Sequence, residues 1–144
     1  MSKKRKYTPA ITLSRTRQLV EWDVSEKLTV GVFYHDGEVM IDITNPQKTN
    51  VSLALTTDQF RTLHAIKDDM GTGTYEYNMG LQIYLKRELY KSKWYVSVRQ
   101  HYKDNLGRVK PGKSGTNMAE DVWADFISTM ESIGMYICLY ITHM

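Results

Sequence analysis

Aromatic and cationic side chains interleave along KWYVSVRQHYKDNLGRVKPGKSG, residues 93–115. As extended chain, this segment sets Trp94, Val96, Val98, Gln100 and Tyr102 on one side, which reads as core. Tyr95, Ser97, Arg99 and His101 fall on the other. Turn signals at 104–107 and again at Pro111 and Gly112 fold it into a hairpin that also carries Lys103, Arg108, Lys110 and Lys113. A groove for single-stranded nucleic acid uses this mixture, because ammonium and guanidinium groups follow phosphates while aromatic faces stack on bases at about 1–3 kcal/mol each. The same composition also fits a sheet whose aromatics fill the interior and whose lysines solubilise the outside. Pattern alone leaves both readings open.

Charge sharpens the choice. Residues 81–113 hold nine basic side chains, Lys86, Arg87 and Lys93 among them, against the two acids Glu88 and Asp104. Residues 7–72 hold six basic and nine acidic ones. The net charge of +3 therefore hides two halves of opposite sign, and it is the local field that steers a polyanion. Lys3, Lys4, Arg5 and Lys6 form a short basic run that reads as a disordered tail over 1–10, with nucleic-acid contact or nuclear import as its sharper role.

Other chemistries find little support. Cys138 is the single cysteine, so no intrachain disulfide or thiolate zinc cluster can form, and its apolar neighbours Ile137 and Leu139 suggest a buried, inert thiol. His35, His64, His101 and His143 lack the i, i+3 or i+4 spacing of metal ligands on one helix, and no cofactor is expected. There is no P-loop and no nucleophile elbow, which argues against an enzyme. No apolar run approaches the roughly 20 residues of a membrane span, and the charged start is no signal peptide. The expectation is an intracellular protein of cytoplasm or nucleoid, or of the nucleus in a eukaryote.

The elements that must position the hairpin appear twice. Strand signals run through QLVEWDV, KLTVGVFY, EVMIDIT and NVSLAL, and again through YEYNMGLQIYLKREL, KWYVSVRQHY and GRVKPGKSG. Each series leads to an amphipathic helix. In TTDQFRTLHAIKDDM, Thr56 is the cap with Gln59 three residues on. In AEDVWADFISTMESI, Val122, Trp123, Phe126, Ile127, Met130 and Ile133 share a face. Leu55 and Phe60 match Met118 and Trp123, an internal duplication at a spacing of about 63 residues. Gly71 and Gly73 mark the joint. The expected architecture is α+β: a first ββββα unit over 11–72, a second over 73–144 with GMYICLYITHM as a closing strand, and one shared core.

YVSVRQHYKDNLGRVKPGKSGTNMAEDVW resembles the single-stranded-DNA-binding core of the transcriptional positive cofactor four family. That pattern is a strand ending in a basic residue, an aromatic pair, an acidic turn, K-P-G-(basic)-x-G and a helix with a buried tryptophan. Arg99, Tyr102, Lys110, Pro111, Gly112, Lys113, Gly115 and Trp123 fall into place. KLTVGVFYHDGEVMIDI and SLALTTDQF resemble it less completely, so the likeness spans roughly residues 27–133.

The resemblance implies curved antiparallel sheets, each with a helix, pairing as an intramolecular pseudo-dimer of the whirly type. It implies a single-stranded-DNA binder with contacts at Lys86, Arg87, Arg99, Tyr102, Lys110 and Lys113, to which the aromatic and cationic pattern adds Lys93, Tyr95, His101, Lys103 and Arg108 as candidates. The first half departs from it: NPQKTN replaces the K-P-G hairpin, and Asp36, Glu38 and Thr44 stand at positions expected to be basic. That half reads as a pairing scaffold, with Tyr34, His35 and Lys48 its few candidates. In the second half, Ser114 and Tyr102 replace a usual basic residue and a usual tryptophan.

A compact accessory protein of replication, recombination or repair, viral or phage encoded, leads the readings. A transcriptional coactivator acting on melted or duplex promoter DNA, and a protein-interaction scaffold, are its rivals. RNA, duplex DNA, and replication or transcription proteins stand as further candidate partners, together with further homo-oligomerisation but no membrane.

Overall fold

A computed structural model describes residues 16–48 and 52–142. Four strands, β1 (Thr16–Ser25), β2 (Leu28–His35), β3 (Glu38–Thr44) and β4 (Leu53–Thr56), lead into helix α1 (Thr57–Ile66) and a short 3-10 turn, Lys67–Asp69. The order repeats with β5 (Tyr75–Asn78), β6 (Ile83–Tyr90), β7 (Lys93–Lys103), β8 (Val109–Ala119) and α2 (Glu120–Thr142). Each set of strands forms an antiparallel sheet in sequence order, so the chain is α+β with two ββββα units. The proposed tail at 1–10 lies outside the described residues.

The ladders put the two units in correspondence. Ile41 pairs with Leu55 in the first sheet, and Val96 pairs with Met118 in the second, so the matched Leu55 and Met118 hold the same place. Gly31 opposite Asp42 corresponds to Lys86 opposite Ser97, and Thr29 opposite Thr44 to Tyr84 opposite Arg99. The units differ in reach: β3 and β4 have 7 and 4 residues, while β7 and β8 have 11 each. Among the described residues, the second unit therefore carries a two-stranded arm that the first lacks.

Strand alternation sends Leu28, Val30, Val32, Ile41, Ile43, Leu53 and Leu55 to one face of the first sheet. Ile83, Leu85, Val96, Val98 and Met118 do the same in the second. Phe60 and Leu63 of α1 and Phe126, Met130, Ile133 and Ile137 of α2 join these faces into a single cluster. α2 packs on α1 and on strands of both sheets, and β8 lies against β3 and β4. A second link is polar. The Thr56 hydroxyl accepts from the Gln59 amide at 3.0 Å, the Gln59 side chain accepts from the Thr56 amide at 2.9 Å, and Gln59 Nε2 donates to the Gly80 carbonyl at 3.0 Å. One buried glutamine thus caps its own helix and holds the second unit's first turn.

Two expectations are corrected. GMYICLYITHM is no closing strand, because α2 runs without interruption through 23 residues to Thr142. Its β-branched composition is overridden by spacing: Phe126, Met130, Ile133 and Ile137 continue one buried stripe at helical intervals. Cys138 consequently falls on the exposed side rather than in the core. YEYNMGLQIYLKREL is two strands, β5 and β6, split where Gly80, Leu81 and Gln82 all take positive φ. No described helix is long and apolar enough to cross a membrane.

Because one core serves both units, truncating Phe126 to Ala should cost about 3–5 kcal/mol. Calorimetry should show a single transition moving as a whole. Two separate transitions would contradict the shared core.

Candidate nucleic-acid interface

With α2 covering one face of the second sheet, the other is left to Tyr84 and Lys86 on β6 and to Tyr95, Ser97, Arg99 and His101 on β7. Beyond His101 the β7–β8 arm runs on, and Tyr102, Lys103, Arg108, Lys110 and Lys113 are all exposed. Asp104 builds its turn. One carboxylate oxygen accepts from the amides of Leu106 (2.9 Å) and Arg108 (2.8 Å), and the other from Arg108 Nε (2.9 Å), with Lys110 Nζ at 3.8 Å. Bonds from Arg108 and Leu106 together hold the Asp104 carboxyl below its usual pKa. The acid of the turn is thereby spent on its own hairpin, where it stays ionised and offsets part of the charge of Arg108 and Lys110.

Pro111 and Gly112 form no second turn. They lie within β8, in an irregularity where Arg99 opposes Gly115 and His101 already opposes Pro111. Arg99 explains it: its guanidinium donates to the carbonyls of Gly112 and Lys113, each at 3.2 Å, and to the Asn117 side chain at 3.0 Å. Burial lowers the Arg99 pKa from its ordinary value. The bulge also requires its glycines. A Cβ on Gly115, at φ +151°, would meet the Val98 carbonyl at 2.5 Å, and one on Gly112 the Gln100 carbonyl at 2.9 Å.

The structure separates the residues expected to contact DNA. Lys93, Tyr102, Lys103, Arg108, Lys110 and Lys113 are exposed; Lys86 and Tyr95 are half-buried on the open face. Arg87 is corrected to an interior position. It alternates with Leu85 toward the core, where it lies 4.3 Å over the Trp94 ring, donates to Glu120 at 2.6 Å and to the Gly73 carbonyl at 3.1 Å. This cation anchors the start of α2 to the sheet.

His101 is only 5% exposed, with its ring 4.5 Å from that of Tyr84. Nδ1 lies 3.1 Å from the Arg99 carbonyl and must donate to it, which leaves Nε2 as a buried acceptor with no partner among the described residues. Tyr102 reverses the expectation that it shares the core side, since the arm outruns the helix and leaves the ring 51% exposed.

One cluster escaped the sequence reading. At the β6–β7 turn Tyr90 is 61% exposed, stands 6.4 Å edge-on from Tyr95, and has Lys91 Nζ 5.4 Å over its ring. An aromatic beside two lysines, YKSK, was the available signal. Tyr84 and Lys86 form a similar pair at 5.9 Å. Exposed rings flanked by cations therefore occur at the turn and on the arm, with Tyr84, Lys86 and Tyr95 on the sheet between.

Residues 79–129 match the family model Transcriptional Coactivator p15 (PC4). Over this segment the second unit is similar to the PC4 family. The match takes in β6, β7, β8 and the first turns of α2 and leaves the first unit outside it. No curated protein shows a significant match to the chain. Every exposed residue of the candidate surface, from Tyr90 to Lys113, lies within the matched segment.

Two substitutions separate support from contact. Arg87→Ala should lower stability by about 1–3 kcal/mol, since it strips the Gly73 carbonyl and Glu120 of a charged donor, while oligonucleotide affinity of the folded protein stays unchanged in anisotropy titrations. His101 has a pKa lowered by burial, with Lys86 and Arg99 acting in the same direction and the Arg99 carbonyl and Glu76 opposing them. The unfolded chain therefore binds this proton more readily than the folded one. Stability should fall as pH drops below about 6.5 toward the depressed folded value. His101→Phe should flatten that decline between pH 7.5 and 5 in thermal melts, and an unchanged slope would exclude His101 as its source.

Proposed function

We propose that this chain binds single-stranded DNA with little sequence preference, through phosphate contacts from Lys91, Lys93, Lys103, Arg108, Lys110 and Lys113 and base stacking on Tyr102 and Tyr90. The observation that carries this reading is the β7–β8 arm: an exposed tyrosine among exposed cations, on a hairpin inside the PC4 match. Phosphate contacts supply affinity without reading sequence, and every base offers a face for stacking. Unpaired strands expose those faces, whereas a duplex hides them.

Accessory work in replication, recombination or repair suits a chain that presents such a surface. The transcriptional coactivator reading draws its support from the family description itself. Duplex promoter affinity equal to that for single strands, or capture of a polymerase subunit, would favour it. On this proposal the first unit, which repeats the element order without the arm, is a degenerate copy serving as scaffold.

Anisotropy titrations of labelled single-stranded DNA, duplex DNA and RNA of equal length, at two salt concentrations, test the proposal. A salt-sensitive preference for single-stranded DNA is expected, and equal weak binding to all three would overturn it. Tyr102→Ala should cost about 1–3 kcal/mol of affinity without altering the salt dependence. Lys110→Ala and Lys113→Ala should each weaken all sequences alike and reduce the salt slope by about 1.

A further inference from the structure

We infer that the chain has one strand-binding face rather than two, and so holds a single DNA segment per chain; this rests on the function proposed above. The argument is positional. Because Gly31 and Asp42 correspond to Lys86 and Ser97, the β2–β3 turn at Asp36 and Gly37 takes the place of the β6–β7 turn at Lys91 and Ser92. Both are two-residue turns with positive φ at each position, so the backbones agree and only the side chains differ. His35, Asp36 and Glu38 stand where the second unit has Tyr90, Lys91 and Lys93. Each lysine of the turn has become a carboxylate.

The open face changes in the same sense. Thr29, Gly31, Thr44 and Asp42 occupy the places of Tyr84, Lys86, Arg99 and Ser97. The aromatic on this face is not offered either: Phe33 is buried and folded onto Gly31, whose Cβ would meet the ring at 2.9 Å. Arg17, the cation at that edge, is directed to Tyr34, 6.0 Å from its centroid, and to the Tyr140 hydroxyl at 3.5 Å. A phosphate chain laid here would meet carboxylates in place of ammonium groups, and the exposed ring in the place of Tyr90 is the smaller imidazole of His35, tied at its two nitrogens to Thr16 and Asp36. Among the described residues, the short β3 and β4 supply no arm to grip it.

A chain with two equivalent faces would hold two strands at once, whereas this one needs two copies to do so. Native mass spectrometry of the full chain with an excess of an oligothymidylate of about ten nucleotides reads the ratio directly, whatever the number of chains in the particle. The expected result is one strand per chain. Lys91→Ser with Lys93→Ser should reduce affinity at least tenfold, while Asp36→Ser with Glu38→Ser should leave affinity within threefold and the ratio unchanged. Two strands per chain, or a tenfold loss on altering Asp36 and Glu38, would overturn the inference while the binding function stands. Absence of any complex with the unaltered chain would overturn the function itself, and this inference with it.

Discussion

The buried stripe of α2 is the contact on which everything else depends. Two four-stranded sheets, each apolar on one face, cannot be covered by the 10 residues of α1 alone. α2 reaches both through Phe126, Met130, Ile133 and Ile137, and the length of that helix is what makes two small units one molecule. Its position also decides which face of the second sheet stays open. The helix takes the Val96 and Val98 side, and the face with Tyr84, Lys86 and Tyr95 is left to solvent.

The cations of the second unit divide by position. Arg87 and Arg99 are both inside or half inside, each satisfying several acceptors with a planar fork. Lys91, Lys93, Lys103, Lys110 and Lys113 stand out in water on flexible stems, as does Arg108. Arg87 sets the start of α2, Arg99 shapes β8, and His101 packs against Tyr84. The surface that meets solvent is thus organised by buried relatives of the groups it displays, and total basic charge overstates the cations available to a ligand.

Much of this was legible in the sequence, and the failures have physical causes. Periodicity located the four strands of the first unit, both helices and the capping box at Thr56 and Gln59, because each is a local pattern. It did not locate the end of α2, where Ile137 and Tyr140 favour strand by type and helix by spacing, and packing decides for spacing. Alternation placed Val96 and Val98 correctly but not Tyr102, whose environment depends on how far the helix extends beneath the arm. Arg87 was misplaced although its alternation with Leu85 pointed inward, since a basic residue in a basic window reads as surface until its partner, Glu120, is brought 33 residues back to it.

The bulge in β8 divides the K-P-G-K-S-G run into two kinds of position. Gly112 and Gly115 are there because backbone atoms leave no room for a Cβ, while Lys110 and Lys113 merely project from the ribbon so formed. The glycines are fixed by steric necessity, but the charges are free to drift. Chains that keep the glycine spacing while exchanging the lysines would fold the same arm and present a different surface to a different ligand, so such a motif diagnoses shape before it diagnoses specificity.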